Sequence, residues 1–212
     1  MKFNILLLLF TFIISIIIVN PEDVINIKAE YIYLDPGHGG FDGGAVSNNL
    51  IEKEIVLDIS FLVKDYLEKY GYNVLMTRYK DTSLADTKKS DIYKRVDLLN
   101  SNNTLLYISI HANSYPSSDV HGAQVFYKGE TNKLLSDTLQ SYLKCVDNNK
   151  RSAKEINNKY LLDNVTNTGC IIEVGFLSSS IDSINLKDIN YLYKLAKYIS
   201  IGLIDYLSIK GE

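Results

Sequence analysis

Two continuous apolar runs constrain this chain more than any other feature. Residues 105–110 (LLYISI) and 169–174 (GCIIEV) have almost no alternation of apolar and polar positions. A strand that faces water on one side alternates, whereas one buried on both faces reads as an unbroken apolar run. Such strands need a layer of helices above and below them. The rest of the chain supplies those helices. Residues 31–34 (YIYL) form a short strand stopped by Asp35-Pro36-Gly37. Ile55, Ile59, Leu62, Val63, Tyr66 and Leu67 then recur at helical spacing from Glu52, with Gly71 at the C-terminal end. Residues 73–77 give a second strand. Asp91 is placed to cap a helix through Leu99, with Tyr93, Val96 and Leu99 inward. A strand over 122–127 is followed by a helix over 133–143, carrying Leu135, Leu139 and Leu143. Residues 146–159 are polar and fit a helix or a surface loop equally well. A long amphipathic helix over 190–207 closes the chain. Strand and helix alternate, so the expected fold is α/β: a single three-layer domain with a mostly parallel central sheet of about six strands and helices on both faces.

The N-terminus stands apart from this pattern. After Met1 and Lys2, residues 5–19 carry no charge, and Asn20-Pro21-Glu22-Asp23 ends the run. A positive start followed by such a stretch is a secretory leader or membrane anchor over residues 1–29, with a cut after Ala29 as one option. The run is shorter than the roughly 20 residues that span a bilayer core. The catalytic unit is then residues 30–212, one domain acting outside the cytoplasm, and the membrane is touched only through the leader. Disulfides are permitted there, but Cys145 and Cys170 are expected as two unpaired, buried thiols. Lys+Arg 22 against Asp+Glu 25 gives a net charge of -3, with no basic cluster. That excludes a nucleic-acid partner, which requires grouped cations. With only 3 histidines in the chain, imidazole chemistry must draw on His38, His111 or His121.

Two of those histidines fall at informative places. His38 follows the first strand and His111 the apolar run 105–110. Glu173 lies near the end of the run 169–174, and Glu52 begins the first helix. All four map to the carboxyl edge of the expected sheet, where open α/β sheets bind ligands. Two imidazoles and a carboxylate match the His₂Glu set of a catalytic zinc ion. Such an ion lowers the pKa of a water to near 7 and polarises a carbonyl, while a second carboxylate moves the proton. The class this predicts is metal-assisted amide hydrolysis. The Gly-rich stretch 37–44 lacks a following Gly-Lys-Ser/Thr, which excludes a P-loop; its glycines let the backbone approach the metal and substrate.

Four ordered blocks carry a resemblance: Leu34-Asp35-Pro36-Gly37-His38-Gly39-Gly40, Glu52-Lys53, Ser109-Ile110-His111-Ala112-Asn113 and Glu173-Val174-Gly175-Phe176-Leu177. Together with Thr77-Arg78, Arg95 with Asn100, Gly122 and Arg151, they resemble the zinc-dependent N-acetylmuramoyl-L-alanine amidases of the Amidase_3 family across residues 31–207. The resemblance implies one Zn2+ held by His38, Glu52 and His111, with Glu173 as the catalytic carboxylate. It also implies cleavage of the amide between the lactyl group of N-acetylmuramic acid and L-alanine in peptidoglycan. Asp35 is expected to shape its turn or support a neighbouring histidine. Arg78 is expected to meet a peptide carboxylate or a structural ion pair, and Asn113 to stand beside a ligand or the substrate. His121 is expected in a loop. Ser179 and Ser152 replace the Asn and Gly common in the family. A lone catalytic domain behind a leader resembles the CwlD-type spore-cortex amidases, which act ahead of muramic-δ-lactam formation. That places it in the space between the forespore membranes, or on the outer face of the cell membrane, with an accessory or recruiting protein as partner. A zinc peptidase with the same ligands and a non-enzymatic wall-binding module remain alternatives.

Overall fold

The computed structural model describes residues 30–101, 103–147 and 149–211. The expected leader over residues 1–29 lies outside the described residues, and with it the question of cleavage or anchoring. Among the described residues no helix is long and apolar enough to cross a membrane.

β1 (Tyr31–Pro36) sits between β4 (Val74–Met76) and β5 (Thr104–Asn113), both parallel to it. β8 (Gly169–Phe176) continues the parallel set on the other side of β5. β6 (Gln124–Tyr127) runs antiparallel to β8, and β7 (Lys154–Glu155) pairs in parallel with β6 at the edge. The six strands therefore lie in the order β4-β1-β5-β8-β6-β7. The mostly parallel sheet is as expected, and its reversed strands are β6 and β7. The run 105–110 extends to Asn113, so His111 belongs to the strand and does not follow it.

Each strand splits its side chains between two unequal layers. Ile32 and Leu34 of β1, Ile108, Ile110 and Ala112 of β5, and Ile172 and Val174 of β8 point one way. They pack against α1 (Glu52–Lys69), α3 (Lys133–Asp147) and α6 (Ile189–Lys210), the last preceded by the four-residue α5 (Asp182–Asn185). Each fully buried Leu or Ile there is worth about 1.5–3 kcal/mol of transfer free energy. The alternate positions, Tyr33, Tyr107 and Ile171, point the other way. They form a smaller cluster with Val96 and Leu99 of α2 (Lys88–Leu99) and Leu161 and Leu162 of α4 (Tyr160–Asn164).

Several local expectations need correction. The cap of α2 is Thr87, whose hydroxyl accepts from the Ser90 N–H in a capping box, not Asp91. Tyr93 is exposed, and Arg95 takes the inward position. Cys145 is exposed, on the side of α3 away from Leu139 and Leu143, while Cys170 is buried; both are free thiols. The stretch 146–159 begins with the last residues of α3 and then contains the edge strand β7, with no further helix among its described residues. A two-residue hairpin, β2 (Val46–Ser47) with β3 (Leu50–Ile51), lies between β1 and α1. Asn48 and Asn49 turn it with φ of 51° and 59°, the pairing that a tight primed turn requires.

Candidate metal centre and catalytic cleft

Three side chains from three separate elements converge on one point. His38 comes from the loop after β1, Glu52 from the first turn of α1 and His111 from β5. The His38 Nε2 lies 3.1 Å from Glu52 Oε1, and the His111 Nδ1 lies 2.9 Å from the same oxygen. One donor atom from each residue falls within 4.8 Å of the others. Hydrogen bonds aim the carboxylate: the Ala45 N–H donates to Oε2 at 2.8 Å, and the Ala112 N–H to Oε1 at 3.1 Å. His38 is aimed through its other nitrogen, Nδ1, which lies 2.8 Å from Asp42 Oδ2. Lys88 in turn holds Asp42 Oδ1 at 2.7 Å.

The charges are mutually adjusted. Burial pushes the Glu52 carboxyl up, but the hydrogen bonds and charges of His111 and His38 outweigh it and hold the group well below the usual carboxylate range. Burial pushes His38 down, and Glu52 and Asp42 reverse that, leaving its pKa raised. Asp42 is held down at about 2, because hydrogen bonds from Lys88, His38 and the Gly44 N–H overcome its burial.

Two glycines make the convergence possible. A Cβ on Gly37 would lie 2.3 Å from His111 Cε1. One on Gly44, whose φ is +70°, would lie 2.5 Å from Glu52 Oε2 and 2.7 Å from His38 Cδ2. Any side chain at these positions would occupy the space of the donor residues. The donor set of two imidazoles and a carboxylate, with Glu52 and His38 each aimed by further hydrogen bonds, fits a zinc ion.

Beneath this cluster lies a buried polar anchor. Asp35 accepts from Thr77 Oγ1 and Ser109 Oγ, each at 2.7 Å, and from Arg95 NH1 at 2.7 Å. Arg95 also donates to the carbonyls of Pro36 and His38 and to Asp91. Burial works against the Asp35 carboxylate, but Arg95 and the two hydroxyls hold its pKa below the ordinary value. The loop carrying His38 is thus pinned through its carbonyls to α2.

Beside the donor cluster opens a cleft of about 480 Å³ between the sheet, α2 and α4. His111, Asn113 and Glu173 stand in its wall, with Ile92, Phe126 and Ile171 among its apolar lining. Glu173 is partly buried, and its Oε2 is enclosed without a hydrogen-bond partner. Burial pushes its carboxyl up; His111 and Lys159 draw it back, Glu52 adds to the rise, and the net shift is upward. A carboxyl with a raised pKa, facing a cleft, is suited to taking and returning a proton near neutral pH.

Comparison with known proteins decides the family. The sequence profile of the Amidase_3 family, N-acetylmuramoyl-L-alanine amidase, matches residues 32–205. The chain is 42% identical over 197 residues to the germination-specific N-acetylmuramoyl-L-alanine amidase of Bacillus subtilis (strain 168), covering 88% of this chain and 83% of that protein. This chain belongs to the Amidase_3 family of N-acetylmuramoyl-L-alanine amidases. The CwlD amidase of Clostridioides difficile, solved in complex with the GerS lipoprotein, superposes with a TM-score of 0.80 at 33% identity, covering 85% of this chain and 99% of that one. The catalytic domain of CwlV from Bacillus (Paenibacillus) polymyxa gives a TM-score of 0.77 at 26% identity, over 84% of this chain and 98% of that one.

Within the amidase, the residues singled out from sequence occupy distinct places. His38, Glu52 and His111 form the donor cluster, and Glu173 faces the adjoining cleft. Asn113 lines the same cleft, with its Oδ1 accepting from the Ser114 N–H. Asp35 hydrogen-bonds no histidine; it anchors Arg95, and the residue that supports a histidine is Asp42. Arg78 is buried, and its guanidinium donates to the carbonyls of Pro36, Gly37, Lys53 and Lys80. It staples the loop to α1 and is not free for a peptide carboxylate. His121 is exposed in the loop before Gly122, beside a separate pocket with Lys150 and Arg151. Ser179 accepts from the N–H groups of Ile181 and Asp182, so the departure from Asn supports a turn. Asp42 had only one signal in the sequence, an acidic residue four positions after a candidate ligand inside a Gly-rich loop.

Proposed function

We propose that the enzyme is a zinc-dependent amidase that cleaves the bond between the lactyl group of N-acetylmuramic acid and the L-alanine of the stem peptide. The observation that carries the reading is the convergence of His38 Nε2, His111 Nδ1 and Glu52 Oε1 beside a Glu173 whose enclosed oxygen has no partner. His38, Glu52 and His111 would hold the ion. Bound there, zinc supplies a Lewis acid for the scissile carbonyl and lowers the pKa of water. Glu173 accepts the proton of the attacking water and returns it to the alanine nitrogen as the C–N bond breaks. Asp42 keeps His38 in the tautomer whose Nε2 is a donor to metal. The Arg95–Asp35 pair keeps the His38 loop in place.

The substrate lies outside the cytoplasm, which agrees with a leader over residues 1–29 as signal peptide or anchor. A germination-specific relative supports the spore cortex as the wall acted on, ahead of muramic-δ-lactam formation. The neighbour solved with a lipoprotein supports an accessory protein that brings the enzyme to its substrate.

The test is digestion of purified cortex peptidoglycan with and without a chelator, with identification of the amines released. New L-alanine N-termini that vanish with chelator and return with zinc are expected. Other termini would make the enzyme a peptidase, and inactivity with zinc would make it a binding module. Glu173→Gln should keep zinc while losing about 10²–10⁴-fold in rate. Loss of zinc instead would exchange its role with that of Glu52.

A further inference from the structure

The cations around the site are nearly all committed. Arg78 is spent on four carbonyls and Arg95 on Asp35 and Asp91. Lys53 is paired with Asp81, and Lys88 with Asp42. Arg151 donates to the His121 carbonyl and Gln124 Oε1, and stacks on Phe176 with its guanidinium carbon 4.7 Å from the ring centre.

Lys159 is different. Of the described residues lining the cleft it is the one lysine or arginine, and no carboxylate among the described residues lies within ion-pair distance of it. It is exposed at the mouth, immediately before α4, whose Leu161 and Leu162 are buried. The Asp163 N–H donates to its carbonyl at 2.9 Å. The backbone that presents this side chain is therefore fixed, while the ammonium group has no partner.

On that basis, and resting on the amidase reading above, we propose that Lys159 is a specificity residue that pairs with a free carboxylate of the stem peptide, so that the peptide, not the glycan, lies in the cleft between α2 and α4. The two sides of the scissile amide differ in chemistry. The muramoyl side offers neutral hydroxyl and acetamido groups. The peptide side offers an alanine methyl and then, on a second residue linked through its side-chain carboxyl, a free α-carboxylate. A lining of Ile92, Phe126 and Ile171 with one unpaired cation at the mouth matches a methyl followed by an anion. Its other polar lining residues outside the reacting groups, Asn113, Asn157 and Tyr160, are neutral, so Lys159 is the lining group that selects an anion. Lys159 also acts on the Glu173 carboxylate through space, which places its charge within electrostatic reach of the reacting groups.

The experiment uses the zinc-loaded full chain and two N-acetylmuramoyl dipeptides, identical except that the α-carboxyl of the second residue is free or amidated. The wild type is expected to favour the acid by roughly two- to fivefold, mainly through KM, the size of an exposed ion pair. Lys159→Met should remove the preference by weakening the acid alone, Lys159→Arg should retain it, and Lys159→Glu should favour the amide. All variants should hold zinc as the wild type does. A Lys159→Met enzyme that loses rate equally on both substrates, or on neither, overturns the assignment, as does a wild type indifferent to amidation. Release of the free dipeptide from neither substrate by the wild type would bring down the amidase reading itself, and this assignment with it.

Discussion

Replacing Arg95 with Met tests whether a buried ion pair holds the His38 loop. Arg95 is 3% exposed and Asp35 is 0% exposed, so the 2.7 Å contact between them has almost no access to water. Met fills similar volume but leaves Asp35 with two hydroxyl donors and no counter-charge, and it frees the His38 carbonyl, while the Pro36 carbonyl keeps only Arg78. Removing one partner of a buried pair costs about 3–5 kcal/mol. At roughly 2–4 °C per kcal/mol for a domain of this size, the melting temperature should fall by about 10 °C. The melt is run in chelator, so that metal binding to the native state does not offset the loss. Its pH dependence gives a second check. In the wild type the folded Asp35 has a depressed pKa, so its stabilisation is complete above the ordinary carboxylate range and is lost as pH falls through the folded value. Without Arg95, burial dominates and the folded pKa rises above the unfolded one. The variant is then penalised most at neutral pH, and the two melting curves should approach each other toward about pH 4. A variant melting within about 2 °C of wild type at pH 7, or a gap that widens in acid, would refute the anchor.

Two further substitutions probe the donor cluster directly. Asp42→Ala removes the acceptor on His38 Nδ1 and should weaken zinc binding about 10–100-fold, read by chelator competition, with little change in thermal stability because its other partners are the exposed Lys88 and a 3.2 Å contact from the Gly44 N–H. Gly37→Ala puts a methyl where the His111 ring stands; metal content and amide cleavage should both collapse while the circular dichroism spectrum is kept. Wild-type zinc affinity in either variant would contradict the geometry.

Much of this architecture was legible in the sequence because its signals are local. The runs 105–110 and 169–174 announce buried strands, and His38, Glu52, His111 and Glu173 each sit in a short block tied to the end or start of an element. What was not legible depends on partners distant in sequence. Arg95 occupies an inward helical position, where pattern alone puts Tyr93, because Asp35 waits there from a strand 60 residues away. Asp35, expected to shape its turn or support a neighbouring histidine, is instead turned by the pleat toward α2 and Arg95, and Asp42 supports His38 from the loop. The β2–β3 hairpin is too short to leave an apolar pattern, yet the Glu52 that opens α1 follows directly on it. Cys145 is the opposite case: the stripe of Leu135, Leu139 and Leu143 in α3 already set it apart from the buried face.

The two faces of the sheet divide the labour, and strand alternation sets the division. One parity of β1, β5 and β8 supplies Leu34, Ile110 and Val174 to the thick layer of α1, α3 and α6, where most of the apolar burial is concentrated. The other parity supplies Asp35, Ser109, His111 and Glu173 to the side covered only by α2 and the short α4. A one-residue slip of β5 or β8 would exchange these sets, putting His111 or Glu173 into the thick core and an isoleucine or valine at the cleft. The unbroken apolar character of those strands up to their carboxyl ends therefore does more than bury them. It leaves polar side chains only at the last positions of one parity, so the register that buries the core also brings His111 and Glu173 to the cleft. A sheet covered equally on both faces would have no room there for a substrate. The sparse cover of α2 and α4 is what opens the cleft, and the thick opposite layer is what lets the fold tolerate it.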